Sequence, residues 1–232
     1  MKKYRNEWKY CCNAKDASII NRRLSAVLDR DTHSDDNGKY KVHNLYFDDY
    51  KNSCAKENDA GVSERFKYRI RYYGSRYESM KLECKEKING YCHKESCQIS
   101  LEEYRMIMEG KTNELIWQTE RPLLKRFCIC CMTRQFVPKI MIDYERTAYI
   151  EDIANVRITL DENISAADDF SHFLDGGYMR YPVQEKGQYI LEVKFDYIMP
   201  GYIKHLITNR KLILSSFSKY CVGRKNLQSM ER

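Results

Sequence analysis

In one segment of the sequence, residues 64–74, positively charged residues alternate strictly with apolar or aromatic ones. It reads ERFKYRIRYYG, so Arg65, Lys67, Arg69 and Arg71 alternate with aromatic and aliphatic residues. On a β-strand, successive side chains point to opposite faces, which places these four cations in one row. Such a row is destabilising unless an anion, or carboxylates on neighbouring strands, lie against it. The segment therefore predicts a strand whose polar face holds phosphate or a similar anion.

Five further segments repeat the pattern of one charged and one apolar face. Such strands suit either an open sheet with a solvated face or a barrel with a polar lumen. An open basic sheet would suit nucleic acid, but interspersed carboxylates would repel it, whereas inside a tunnel they can hold a divalent metal that bridges phosphate oxygens. We therefore predict an α+β fold in which helices pack outside an antiparallel β-barrel with a polar, basic lumen. The charged or polar faces of the five segments carry Arg5, Glu7 and Lys9; Lys81, Glu83, Lys85 and Lys87; Tyr144 and Arg146; Arg157, Thr159 and Asp161; Glu192 and Lys194.

Capping residues and apolar spacing predict four helices between the strands. Asp16 is expected to cap a helix that runs to Asp29, and Ser100 to cap one that ends at Gly110. Pro200 is expected to open a third helix, through about Thr208. A fourth is expected to begin near Ser216. Residues 57–61 are interpreted as the loop before the basic strand.

Composition is consistent with one domain, which we expect to span residues 1–232. The net charge of +7 is moderate and is distributed through the strands rather than gathered in a tail. The sequence shows no apolar run near the ~20 residues that span a bilayer and no export signal. The ten cysteines lack the spacing of a disulfide framework, and a zinc site at Cys92, His93 and Cys97 is disfavoured. Free thiols in a reducing cytosol, and hence a cytoplasmic location, are expected.

Eight short motifs occur in an order that resembles a known family. The chain resembles the catalytic domain of the vacuolar transporter chaperone (VTC) polyphosphate polymerases, within the triphosphate tunnel metalloenzyme superfamily. The resemblance extends from Arg5 to about Lys225. The motifs are EWKY at residues 7–10, RFKYRIRYYG at 65–74, LECK at 82–85, RP at 121–122, YERTA at 144–148, VRITLD at 156–161, LEVK at 191–194 and FSKY at 217–220.

The resemblance implies transfer of the γ-phosphoryl group of ATP to a growing polyphosphate chain, with release of ADP. ATP and inorganic polyphosphate are then the expected partners, nucleic acid is not, and any membrane association requires a partner protein. Glu192 is implied to hold Mn²⁺ or Mg²⁺. The resemblance implies as catalytic phosphate ligands Lys9, Arg69, Arg71, Lys85, Arg146, Arg157 and Lys219, and as further substrate-binding residues Lys94, Tyr144 and Ser218. Arg65 and Lys67 of the basic strand row are also expected to bind substrate, by steering anions in at the tunnel mouth.

Two other functions suit the same residues. The first is hydrolysis of triphosphate or tripolyphosphate by metal-activated water, for which related tunnels use a first strand of the type Glu-x-Glu-x-Lys. Here that strand has Arg5, Glu7 and Lys9, and fewer carboxylates favour an anionic acceptor over water. The second is a non-catalytic polyanion-binding module, whose 19 tyrosines could stack on bases. Most of these tyrosines lie on apolar faces, where they are expected to be core. The oligomeric state is left open by the sequence.

Overall fold

The segments with alternating faces form strands of one antiparallel sheet. The computed structural model describes residues 4–32, 34, 37–75, 77–152, 154–208 and 212–230. Within them the strands are β1 (Asn6–Asn13), β2 (Asp29–Arg30), β3 (Tyr40–Asp48), β4 (Glu64–Tyr73), β5 (Lys81–Ile88), β6 (Tyr91–Gln98), β7 (Val137–Glu151), β8 (Val156–Ala167), β9 (Tyr181–Pro182), β10 (Gln188–Phe195) and β11 (Ile213–Leu214).

The sheet curls until two of its strands meet. The strand order is β11-β1-β10-β8-β7-β3-β4-β5-β6, with β2 paired to β7 and β9 to β8. Beyond this path, Arg5 and Cys92 form an antiparallel bridge with two backbone hydrogen bonds of 2.8 and 3.0 Å. Because Arg5 precedes β1 and Cys92 lies in β6, this bridge joins the two sides of the curled sheet. The predicted antiparallel barrel is thereby confirmed.

Helices pack against the sheet, most of them on its outer face. They are α1 (Ala14–Ser25), α2 (Ser53–Asp59), α3 (Leu101–Met108), α4 (Thr112–Gln118), α5 (Pro122–Arg134), α6 (Gly201–Ile207) and α7 (Lys219–Met230). α1 and α6 bury Ile20, Leu24 and Ile203 against the apolar side of β8 and β10. On the other side of the barrel, Phe127 of α5 packs edge-on against Phe47 of β3. These apolar layers leave the charged side chains on the inner face.

One helix, α7, lies on the inner face instead. A Cβ built on Gly223 would lie 2.5 Å from Cδ1 of Ile142 and 3.0 Å from Cδ1 of Ile140. Ile140 and Ile142 alternate along β7 with the same phase as Tyr144, so α7 packs on the side that carries Tyr144. Tyr220 also donates a hydrogen bond of 2.5 Å to Asp48. The C-terminal helix therefore forms part of the tunnel wall.

Several helix predictions are confirmed and others are wrong. The helix after Ser100 has the predicted capping box, and Pro200 is the N-cap of α6. The cap of α1 is Asn13, which accepts a hydrogen bond from the backbone of Asp16, so the prediction of Asp16 as cap is wrong. The predicted loop at residues 57–61 is largely the end of α2. Among the described helices, none is long and apolar enough to cross a membrane.

Candidate active site

The curled sheet and α7 enclose a cavity of about 900 Å³. Its lining is strongly cationic, because the charged faces of β1, β4, β5, β7 and β10 all contribute to it. Among the described residues, thirteen lysines and arginines line it against three carboxylates. The cations are Arg5, Lys9, Arg65, Lys67, Arg69, Arg71, Lys85, Lys87, Lys94, Arg146, Lys194, Lys219 and Lys225, and the carboxylates are Glu7, Asp59 and Glu192.

Glu83 fixes the position of Arg69 on the first wall. Arg69 lies opposite Glu83 in the β4–β5 register and donates two hydrogen bonds to its Oε2, at 2.8 and 2.6 Å. Lys94 pairs with the other carboxylate oxygen at 2.8 Å. Burial alone would raise the pKa of Glu83, but Arg69, Arg71 and Lys94 outweigh it and hold the pKa well below its usual value. Glu83 is therefore ionised and orients two cations at the cavity wall.

Arg71 is held by neutral partners. Its Nε donates to Oδ1 of Asn44 at 2.7 Å and its Nη2 donates to the hydroxyl of Tyr144 at 2.9 Å, while Glu83 is 3.8 Å from its Nη1. Both contacts cross between strands, from β4 to β3 and β7. An arginine fixed in this way keeps most of its positive charge available to a ligand.

Asp161 forms ion pairs with two cations, one on a strand and one on α7. Arg146 forms a two-pronged ion pair with it, at 2.6 and 2.8 Å, and Lys219 of α7 pairs with it at 2.6 Å. Burial would raise the pKa of Asp161, but these two cations lower it to about 2. The fully buried carboxylate thus carries one charge against two and leaves a net positive pair facing the cavity.

Glu7 and Glu192 form the carboxylate pair of the site. Glu7 accepts hydrogen bonds of 2.6 and 2.7 Å from Lys85, and Glu192 pairs with Lys194 at 2.6 Å. Each of the two carboxylates is among the groups that influence the pKa of the other, and the negative charge of Glu192 acts to raise the pKa of Glu7. Burial opposes ionisation of Glu192, but Lys194, Lys9 and Lys85 keep its pKa well below the usual value. This is the most concentrated negative charge in the cavity lining.

Lys67 lies where three elements meet. Its ammonium donates to Oδ1 of Asn58 at 2.6 Å and to Oγ of Ser218 at 3.1 Å, and lies 5.4 Å from the ring centre of Tyr220. Burial lowers the pKa of Lys67 to about 8, since these partners carry no full negative charge to compensate for lost hydration. The positive charge of Lys67 is therefore unfavourable in the ligand-free protein, and an incoming anion would stabilise it.

Tyr46 shares this wall with the arginines. Its hydroxyl accepts a hydrogen bond of 2.9 Å from Arg69. Burial would raise the pKa of Tyr46, but Arg69, Arg71 and Lys67 outweigh burial and lower it to about 8. Near neutral pH the hydroxyl is protonated and can donate to a phosphate oxygen.

Twelve of the thirteen predicted site residues line this cavity, and one does not. Arg157 is ion-paired with Asp31 and donates to the hydroxyl of Tyr40 at 2.9 Å, outside the cavity lining. Its role as a phosphate ligand remains a prediction that requires it to exchange these partners. Ser218 precedes α7 instead of lying within it, and its Oγ accepts from the backbone of Cys221 at 3.4 Å.

Sequence reasoning missed four residues of the site. Glu7 and Lys194 share strand faces with predicted ligands, so alternation could have marked them. Asp161 was placed on a charged strand face, but its pairing with Lys219 could not be predicted because it depends on where α7 packs. Tyr46 carries no sequence signal of its own, because it lies in a nearly continuous buried strand.

A divalent cation fits the carboxylate pair only with help from a ligand. No cluster of three His, Cys, Asp or Glu side chains suited to a metal occurs in the part of the chain that the structure describes. Mg²⁺ is commonly bound through one or two carboxylates plus substrate phosphates. Glu192 and Glu7 would provide the two carboxylates of such a donor set, and phosphate oxygens of a ligand would have to supply the rest.

Comparison with known proteins agrees with this geometry. The family model of the VTC domain matches residues 4–228 of the chain. No curated protein sequence matches it.

Among solved structures, HpAC1 from Hippeastrum, a protein with a dominant triphosphatase activity, has a TM-score of 0.56 at 16% identity and covers 95% of each chain. The PH1819 protein from Pyrococcus horikoshii has a TM-score of 0.47 at 12% identity and covers 99% of this chain and all of its own. HpAC1 thus supports the triphosphate tunnel fold.

Proposed function

This chain belongs to the VTC domain family, and we propose that it is a polyphosphate polymerase. It transfers the γ-phosphoryl group of ATP to the end of an inorganic polyphosphate chain and releases ADP. The observation that carries the proposal is the composition of the cavity lining, with thirteen cations and three carboxylates among the described residues. Two polyanions must lie end to end for this reaction, and such an excess of cations offsets their mutual repulsion.

Phosphoryl transfer requires alignment and charge stabilisation more than covalent chemistry. Arg69, Arg71 and Arg146 are anchored by partners on the barrel wall, so their outer N–H groups are oriented before the ligand binds. Lys219 brings a further charge from α7. These groups would hold the triphosphate and the acceptor phosphate in line and stabilise charge on the transferring group.

A divalent metal would be held by Glu192 and Glu7. When bound, it neutralises phosphate oxygens and acts as a Lewis acid at the transferring group. The lysines around the pair, Lys9, Lys85 and Lys194, line the same cavity and would contact the phosphates.

Hydrolysis of triphosphate is the second candidate. HpAC1 has a dominant triphosphatase activity and a similar fold. That reaction needs groups that activate and orient water, usually several carboxylates. The present lining has one pair of adjoining carboxylates, Glu7 and Glu192, and the first strand has Arg5 where that type of strand has a further glutamate. This chemistry favours a phosphate nucleophile.

The test is product analysis. The purified protein is incubated with ATP and Mn²⁺, with and without a short polyphosphate primer, and ADP, orthophosphate and long-chain polyphosphate are measured separately. ADP equal to polymerised phosphate, with little orthophosphate, is the expected result. Orthophosphate without polymer would instead establish the hydrolase, and tight polyanion binding without turnover would leave the binding module.

Variants connect the activity to the cavity. We expect Arg71→Met to lower kcat/KM at least about a hundredfold, because it removes an oriented charge from the phosphate site. Arg22→Met removes the same type of charge from the exposed face of α1 and should leave kcat/KM unchanged. Equal losses in the two variants would contradict the assignment of the cavity.

A further inference from the structure

Lys194 lies between the two carboxylates of the cavity. Its Nζ is 2.6 Å from Oε1 of Glu192 and 3.7 Å from Oε1 of Glu7. Both carboxylate side chains are about nine-tenths buried, at 7% exposure for Glu7 and 6% for Glu192, whereas Lys194 remains 32% exposed. An ammonium in this place contacts both negative groups from the cavity side. It is the place that a cation bridging the two carboxylates would need.

Two more lysines complete the surroundings of the pair. Lys85 makes contacts of 2.6 and 2.7 Å with both oxygens of Glu7, and Lys9 lies 3.9 Å from Glu7 Oε2. Three ammonium groups therefore surround two carboxylates. A free dication approaching them meets a cluster that is already neutralised, and it must displace an ammonium to bind.

We propose that Lys194 is a built-in counter-ion that occupies the metal position in the absence of substrate, so that the divalent cation enters only together with a nucleoside triphosphate. The inference rests on the proposed function for the identity of that ligand. A triphosphate supplies what free metal lacks. Its oxygens give Lys194 a new anionic partner and provide the remaining metal ligands. Metal and triphosphate then bind with positive coupling, since each removes an obstacle to the other.

The physical consequence is protection of the cavity from unproductive metal binding. A site that binds metal alone would hold a dication against the cations that must receive phosphate. With Lys194 in place, the ligand-free cavity keeps its positive charge and still attracts the metal–triphosphate complex, which is a net anion. Lys194 is accordingly a positioning residue that sets the order of assembly.

Equilibrium dialysis of Mn²⁺ against the full chain tests this without any turnover. Mn²⁺ is measured on both sides of the membrane, with and without the non-hydrolysable analogue β,γ-imido-ATP. We expect the analogue to tighten Mn²⁺ binding by at least about tenfold, within the usual range of coupling between sites. Lys194→Met should bind Mn²⁺ alone at least about tenfold more tightly than the wild type, and the coupling should shrink correspondingly.

Controls separate this effect from general charge removal. Lys87→Met removes one charge from the cavity lining, where the structure assigns Lys87 no ion pair with Glu7 or Glu192, and should leave Mn²⁺ binding unchanged. Lys194→Arg keeps the positive charge, so its affinity for Mn²⁺ alone should stay as low as that of the wild type. Glu192→Gln should still bind the analogue, but the analogue should no longer increase Mn²⁺ binding.

Equal Mn²⁺ binding by the wild type with and without the analogue overturns the inference and leaves the proposed function standing. Absence of Mn²⁺ binding in both conditions overturns the inference and the metal role of Glu192 together. If Lys194→Met fails to fold, as judged by its circular dichroism and melting curve, Lys194→Gln takes its place, since it removes the charge and keeps a polar side chain. Unchanged binding of Mn²⁺ alone by the folded variant overturns the inference.

Discussion

At the scale of single residues, Lys67 makes ligand affinity depend on pH. The pKa of Lys67 is about 8, so the ligand-free protein loses this positive charge above pH 8. The pKa of Tyr46 is also about 8, so the tyrosine gains a negative charge over the same range. Both changes oppose binding of a polyanion. We expect the affinity for tripolyphosphate in EDTA to fall by about tenfold or more between pH 7.5 and 9.5, measured by titration calorimetry.

The double variant Lys67→Arg, Tyr46→Phe removes both titrating groups. Arginine stays protonated throughout this range, and phenylalanine cannot ionise. Tripolyphosphate loses its last proton in this range and gains a negative charge, which acts equally on both proteins. The affinity of the double variant should therefore not fall from pH 7.5 to 9.5, in contrast to that of the wild type. A fall as steep as that of the wild type would show that other groups in the cavity are responsible.

The same lysine should lower the stability of the ligand-free protein. Its folded pKa of about 8 lies below the unfolded value of 10.5, so between these values the unfolded chain binds a proton that the folded chain does not, and stability rises with pH. Below pH 8 the full cost of the buried charge is present. Lys67→Met should therefore raise the free energy of unfolding at pH 7 by about 1 kcal/mol or more.

Urea denaturation at pH 7 and pH 9.5 measures this effect. The gain from Lys67→Met should shrink at the higher pH, where the wild-type lysine is largely neutral in the folded state. A gain of the same size at both pH values would assign it to packing of the methionine instead of the charge.

At the scale of elements, the packing of α7 depends on a glycine. The space beside Gly223 is filled by the Cδ1 atoms of Ile140 and Ile142, so a methyl group there must displace these buried isoleucine methyls or push the helix away from β7. Alanine is the better helix former by about 1 kcal/mol, but overpacking costs typically about 1–3 kcal/mol. Since Lys219 enters the cavity from α7, Gly223→Ala should lower both the melting temperature and kcat/KM.

A compensating change tests the packing explanation. Ile142→Val removes the Cδ1 atom that lies closest to the added methyl group, and in combination with Gly223→Ala it should restore part of both losses. Ser229→Ala, at an exposed position on the same helix, is the matched substitution and should be neutral. Equal losses for Gly223→Ala with and without Ile142→Val would contradict this account.

The elements also show what a single sequence can predict. β1, β4, β5, β7, β8 and β10 and their faces followed from period-two alternation, because a two-faced strand needs only local information. α5 was missed although Pro122 at its first position, with Leu123, Leu124 and Phe127 on its buried side, is a recognisable start. The inner position of α7 and its pairing with Asp161 could not be found locally, because they depend on contacts between distant segments.

At the scale of the whole molecule, the barrel brings like charges together from opposite walls. Cations of β4 and β5 face those of β1, β7 and α7 across one cavity, and the carboxylates among them neutralise only a part. The ligand-free protein therefore carries an electrostatic cost that a chain of phosphates would remove along its length. A single phosphate contacts fewer of these cations and should remove less of it.

Thermal unfolding compares these ligands directly. Tripolyphosphate at about 100 times its dissociation constant should stabilise the fold by about 2.7 kcal/mol, which corresponds to about 5–10 °C for a chain of this size. Orthophosphate at the same phosphorus concentration should give a much smaller shift. The tripolyphosphate shift should decrease at about 1 M NaCl, where the screening length is about 3 Å. Equal shifts from the two ligands would mean that the cations act as separate anion sites. Nothing would then favour the longer phosphate chain, and a tunnel that holds a polymer would be contradicted.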